Sequence, residues 1–258
     1  MYTKNPEFTK PDGNPKLWRF MSFTKFVNML HSNTLYFCRS DLLGDPFEGT
    51  STKATIEERK KILEELLPGL ELDQLRKEQE KNEHLLFYQL WTKLNFVSCW
   101  HKNEYEPYSM WKTYAPNEGI AIQSSWERLI DSVSKSKEEI CIGMIEYLDY
   151  KKDDNSGNLF KKLLTKRKNF IHESELRAIV THSPTNYIIQ DSNNPPTNII
   201  NWEAVPQGIK IPVKLDDLIE KIIIAPKSPS WFRSTVESIC GKYGIQKPIE
   251  NSELDKNP

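Results

Sequence analysis

Residues Ile171–His182 read I-H-E-S-E-L-R-A-I-V-T-H. The β-branched tail and the turn-forming Ser183-Pro184 behind it predict a strand. Alternate side chains of a strand share a face. Glu173, Glu175 and Arg177 are therefore expected on one face, and Leu176, Ala178 and Val180 on the other. Such a strand is expected to be buried. Two carboxylates and a guanidinium on its polar face are costly there unless they pair with one another or meet a ligand. Both alternatives stay open at this point: a cross-strand ion pair at a sheet edge, or a polar site.

The rest of the chain supplies partners for that strand. Further strands are predicted at Leu17–Met21, Thr34–Cys38, Asn95–Trp100, Gly119–Gln123, Ile140–Leu148, Tyr187–Gln190, Gly208–Val213 and Lys221–Ala225. Ser22 is a predicted N-cap for a helix that places Phe23, Phe26, Val27 and Leu30 on one face. Ser124-x-x-Glu127 matches a capping box, followed by the stripe Trp126, Leu129, Ile130 and Val133. A short helix is expected at Tyr108–Tyr114, an amphipathic one at Ser230–Tyr243, and a basic one at Leu159–Asn169. Two charged helical patterns, Ile56–Leu67 and Leu72–Thr92, are divided by Pro68-Gly69 and read as a helical insertion over 54–93. Strands and helices mix without strict βαβ alternation. The expectation is a single α+β domain over 1–258, with a mixed, largely antiparallel sheet, flanking helices, and a disordered tail at 251–258.

Composition narrows the function classes. A net charge of -1 over 258 residues gives no global electrostatic case for nucleic acid or an anionic membrane. With 38% hydrophobic and 11% aromatic residues the chain carries enough apolar matter for a core. The start is polar and Pro-interrupted, and no apolar run reaches transmembrane length, so a soluble, cytoplasmic protein is expected. Cys38, Cys99, Cys141 and Cys240 are scattered in apolar runs and read as buried free thiols rather than zinc ligands. No P-loop, G-x-G-x-x-G or G-x-S-x-G motif is present.

Three clusters could carry chemistry. Asp41, Asp45 and Glu48 follow the second strand and could cap turns or, with Glu173, hold a divalent metal for phosphodiester cleavage. Ser98, Trp100, His101, Asn103, Glu104, Ser109 and Trp111 form the second cluster, in which Ser98 and Trp100 share a strand face. Glu173, Glu175 and Arg177 form the third. A non-catalytic alternative makes 54–93 the surface for a protein partner.

The segments Leu17–Phe26, Leu35–Gly49 (ending D-P-F-E-G), V-S-C-W-H-K-N-E (Val97–Glu104), Met110–Tyr114, Gly119–Ile122, Lys166–Ala178 and Ile222–Pro226 resemble, in that order, a bacterial family designated domain of unknown function 2971. That resemblance implies no chemistry, and a setting in phage defence or toxin systems. A more distant resemblance is to the Arg–Ser–Glu pattern of ADP-ribosyltransferases, on Arg19 in L-W-R, Ser98 in V-S-C, and Glu173-x-Glu175. It implies that Arg19 grips a phosphate of NAD, Ser98 steadies the nicotinamide ribose, and Glu175, with Glu173, positions the ribose and acceptor. Trp100 and Trp111 would wall the nicotinamide, and Arg177 would lie within reach of the nucleotide. The middle motif is Ser-Cys-Trp here, where that family has Ser-Thr-Ser.

Overall fold

The computed structural model describes residues 1–66, 90–191 and 197–255. A mixed, mostly antiparallel sheet carries helices around it, an α+β architecture. Strand β1 (Lys16–Ser22) leads into the helix Phe23–Ser32, capped by the Ser22 hydroxyl accepting from the Lys25 amide at 3.4 Å. Asn33, in the left-handed region at φ 50°, ends that helix and launches β2 (Thr34–Arg39). After β3 (Asn95–Lys102) come the helix Tyr108–Tyr114, β4 (Gly119–Ser125), the helix Trp126–Ser132, β5 (Cys141–Met144) and β6 (Glu146–Leu148). The helix Leu159–Leu163, β7 (Thr165–Arg167), β8 (Glu175–Thr181), β9 (Ile188–Asp191), β10 (Thr197–Ile200) and β11 (Gly208–Pro212) follow. The helix Leu215–Leu218, β12 (Lys221–Ile224), the helix Ser230–Lys242 and β13 (Ile249–Asn251) complete the order.

Sheet order is β11-β2-β3-β1-β4-β12-β13, with β8 pairing both β3 and β5. Strand β3 sits at the junction. One of its edges is taken along its length by β8, from Asn95 opposite Thr181 to His101 opposite Glu175. Its other edge is divided: Phe96 and Val97 pair with Arg39 and Cys38 of β2, while His101 and Lys102 pair with Trp18 and Leu17 of β1. A strand has two hydrogen-bonding edges, so Ser98, Cys99 and Trp100 face a fork between β1 and β2.

Alternation sorts the side chains onto two faces. On one, Leu17, Met21, Phe26, Phe96, Trp100, Ile122, Leu176, Ala178 and Val180 join the largest apolar core. Phe26, fully buried in it, contributes about 1.5–3 kcal/mol by leaving water. On the other face, Val97, Ile179, Leu163 and Leu164 pack with Phe8, and Trp18, Phe20, Met110 and Trp111 form a third cluster.

Several expected boundaries move. Ser174 takes the left-handed conformation at φ 38°, so the strand expected from Ile171 begins only at Glu175 and residues Lys168–Glu173 form a 3-10 turn. The basic helix ends at Leu163, and Thr165–Arg167 is a strand parallel to β6. The expected strand Ile140–Leu148 splits into β5 and β6. Ser125, not Ser124, caps the helix after β4; the Ser124 hydroxyl donates to the Leu218 carbonyl at 2.6 Å. The expectation of a disordered tail is corrected for residues 251–255. Asn251 ends β13, parallel to β12, Ser252 is buried and donates to Glu106, and Asp255 accepts from the Lys227 amide. Of the expected insertion, the helix Lys53–Leu66 is seen and residues 90–94 are helical. The intervening stretch lies outside the described residues. Among the described residues no helix is long and apolar enough to cross a membrane.

Candidate functional site: a crevice in the forked sheet

The fork between β1 and β2 opens into a cavity of about 510 Å³. Its lining includes Arg19 from β1, Tyr36 and Cys38 from β2, Cys99, Trp100 and His101 from β3, and Lys25 and Asn28 from the helix that joins β1 to β2. Glu48, Lys166, Glu173, Glu175, Arg177 and Tyr114 line it as well. Residues of both sheet faces contribute, because the gap in β3 pairing lets the crevice pass between them. Gly208 lets Tyr36 lie close over β11: a side chain there would collide with the Tyr36 hydroxyl and sit 2.7 Å from the Phe37 carbonyl oxygen.

Arg19 and Ser98 meet. Arg19 shares its face with Leu17 and Met21, and Ser98 with Phe96 and Trp100. The guanidinium donates through Nη1 to the Ser98 hydroxyl and through Nη2 to the Tyr36 carbonyl at 2.9 Å, with Cζ 5.6 Å from the Trp100 ring centroid. Ser98 itself is wholly buried and holds the arginine in place. Among the described residues no carboxylate pairs with Arg19. Burial consequently lowers its pKa, against a small opposing influence from Cys99.

Glu175 and Arg177 lie on the face opposite to Arg19, in register with His101 and Cys99. Here the charges are closely paired. Arg177 Nε donates to Glu175 Oε1 at 2.7 Å, Nη1 to the Leu163 carbonyl at 2.8 Å, and Nη2 to both Glu48 and Glu175. Lys166 bonds to Glu173, to Glu175 at 3.1 Å, and lies 3.3 Å from Glu48. Glu173 also accepts from the Tyr114 hydroxyl at 2.7 Å. Burial raises the Glu175 carboxyl, but the charges of Arg177 and Lys166 outweigh it and hold the pKa below its ordinary value. Burial lowers Lys166, and the charges of Glu175 and Glu48 more than reverse this. Three carboxylates against two cations leave one negative charge in a nearly sealed cluster. Such a group is costly to break: leaving one ion unpaired forfeits about 3–5 kcal/mol.

The structure therefore brings Arg19, Trp100, Glu173, Glu175 and Arg177 to one cavity, with Ser98 directly behind Arg19. Trp111 does not line it. That ring is buried against Phe20 at 4.9 Å between centroids, and its Nε1 donates to Glu106 at 2.8 Å. Arg177 turns its donors to protein groups, so its role there is to hold Glu175 and Glu48. Sequence reasoning missed Lys166, Tyr36 and Tyr114. Lys166 was hidden in a pattern read as a basic helix; the parallel pairing of β7 with β6 turns it inward.

Asp41, Asp45 and Glu48 do not gather. Asp41 is held by Arg39 at 2.6 Å and Asp45 by Arg167 at 2.8 Å, while Glu48 joins the buried cluster. Among the described residues no group of three or more His, Cys, Asp and Glu side chains is placed to hold a metal ion. The four cysteines are free thiols; Cys240 is buried and the other three partly so.

Two ring nitrogens at the crevice stand out. Trp100 Nε1 and His101 Nε2 are both buried without a hydrogen-bond partner, a condition met by few polar groups in folded proteins.

Comparison of the chain with protein-family models, with curated proteins and with solved structures finds no match. The resemblances read from the sequence stand on their motifs alone.

Proposed function

We propose that this protein binds a pyrophosphate-bearing nucleotide, NAD by preference, in the forked-sheet crevice. The observation that carries this is Arg19, a partly buried guanidinium at a cavity with only neutral partners. A guanidinium has five donors. With two directed at Ser98 and Tyr36, the remainder suit the oxygens of a phosphate. Lys25 and Lys210, both exposed, add positive charge to the same lining. The volume falls within the range of small-molecule sites.

The acidic cluster supports the second half of the assignment. Breaking the bond between nicotinamide and ribose builds positive charge on the sugar, and a fixed negative charge in a dry site stabilises it. The surplus charge of Glu48, Glu173 and Glu175 supplies that field, so ADP-ribosyl transfer or NAD hydrolysis follows as the favoured chemistry. Ribose hydroxyls would face Glu173 and Glu175, and Trp100 lies beside the arginine as an aromatic wall. Free thiols and a nucleotide ligand fit a cytoplasmic setting.

Titration calorimetry with NAD and with ADP-ribose tests the assignment. Binding is expected in the wild type and a loss of at least about tenfold in Arg19→Met, the scale of one charge-assisted contact. Absence of heat at millimolar nucleotide would overturn it.

A further inference from the structure

Glu175 is held in its charged form by Arg177 and Lys166 and is poorly disposed to take up a proton. The Cys99 thiol is pushed well up by burial, and the phenols of Tyr114 and Tyr147 are raised by burial too, so they remain protonated near neutral pH. His101 differs from all of them. Its Nδ1 contacts the Glu173 carbonyl, an acceptor only, so Nδ1 carries the hydrogen and the lone pair is on Nε2. Burial lowers the pKa of this imidazole, despite the bond to Glu173, and keeps it neutral. The residue is 2% exposed and borders the crevice, and its ring packs edge-on to Phe20 at 6.3 Å. Around it stand Glu175 opposite in register, and His172 and Glu173; Nε2 bonds to none of them.

We infer that His101 is the hydrogen-bond acceptor for a ligand hydroxyl in the crevice, making the site selective for the sugar of a nucleotide and not for its phosphates alone. This rests on the nucleotide assignment above and adds a residue to it. A hydroxyl donates one hydrogen and accepts others. It satisfies Nε2, which is otherwise an orphaned buried acceptor, and no phosphate oxygen in its ionised form can do so. The carboxylates of the cluster already accept from Lys166, Arg177 and Tyr114, whereas the imidazole Nε2 accepts from nothing in the protein.

The test compares ADP-ribose with inorganic pyrophosphate by calorimetry, in the full chain and in His101→Asn and Arg19→Met. Asparagine keeps an N–H near the Nδ1 position for the Glu173 carbonyl and deletes Nε2. His101→Asn is expected to bind ADP-ribose about tenfold more weakly and pyrophosphate unchanged; Arg19→Met is expected to lose both. Equal ADP-ribose affinity in His101→Asn and wild type would overturn the His101 assignment and leave nucleotide binding standing. No binding of either ligand to wild type would overturn both. Histidine-labelled nitrogen NMR of the wild type decides the matter even if the variant fails to fold. An unprotonated Nε2 signal that moves on adding ADP-ribose is expected; a protonated Nε2, or a signal that ADP-ribose leaves in place, would overturn the inference.

Discussion

Two pairs of cations, three of them buried and Arg19 half-buried, have opposite surroundings in this protein. Arg177 and Lys166 sit among Glu48, Glu173 and Glu175, and the pKa of each is raised because the carboxylates outweigh burial. Arg19 and Lys162 are held by neutral oxygens, Arg19 by Ser98 and Tyr36, Lys162 by the backbone and side-chain oxygens of Asn155. Both are lowered, Lys162 to about 8, by burial first and by the charge of Arg59 next, with Asp154 opposing. The difference teaches where charge serves the fold and where it is left for something else. A cation matched to carboxylates is finished structure. Lys162 lies in a sealed knot with Thr52, Thr55 and Asn155 that ties the helix Lys53–Leu66 to the loop before the helix Leu159–Leu163. Arg19, with neutral partners too, opens on a cavity.

The sharpest way to break this contrast is Arg177→Met. It leaves Glu175 and Glu48 with Lys166 alone, and urea unfolding is expected to show a loss of about 3–5 kcal/mol. A loss below about 1 kcal/mol would mean that the cluster is not paired in solution. Next in size is Lys162. Its folded pKa is below its unfolded one, so the unfolded chain binds more protons between pH of about 8 and 10.5, and stability rises with pH across that window. The rise is bounded at about 3 kcal/mol by the size of the shift, and Lys162→Met should flatten it relative to wild type. Glu175 runs the other way: its folded pKa is depressed, so its contribution is present above its ordinary value of 4.5 and is lost as pH falls below it. Acid unfolding monitored by circular dichroism should show a smaller loss between pH 5 and 3 in Glu175→Gln. The smallest effect is expected from Arg19→Met. Relief of a half-buried charge without an ionic partner offsets the lost bonds to Ser98 and Tyr36, leaving a change of about 1 kcal/mol or less. A large destabilisation there would move Arg19 into the structural pair.

Much of the fold was legible because the signals were local. Ser22 followed by an apolar helical stripe, and the β-branched runs of β8 and β12, state their conformation residue by residue. The polar face of β8 was also legible, since period-two alternation survives any tertiary arrangement. What was not legible depends on contacts made far away. Ser174 can adopt a left-handed turn that no propensity demands, and it moved Glu173 off the strand while Lys166 kept it beside Glu175. Lys166 looked like one cation of a basic helix until β6 paired with β7. His101 and Trp100 sat in a motif that suggested a site, but a missing hydrogen-bond partner is a property of packing and has no trace in the sequence. The division of β3 between β1 and β2, which creates the crevice, is likewise a matter of register.

That division has a mechanical consequence. On the side of β3 away from β8, strands β11 and β2 belong to one wing of the sheet and β1, β4, β12 and β13 to the other, and among the described residues the hydrogen-bonded ladder joins them only through β3. Arg19, reaching from β1 to the Tyr36 carbonyl on β2, is a strut across the opening. A molecule wedged there would brace the two wings against each other, so occupancy should be felt as stiffness well beyond the atoms it touches.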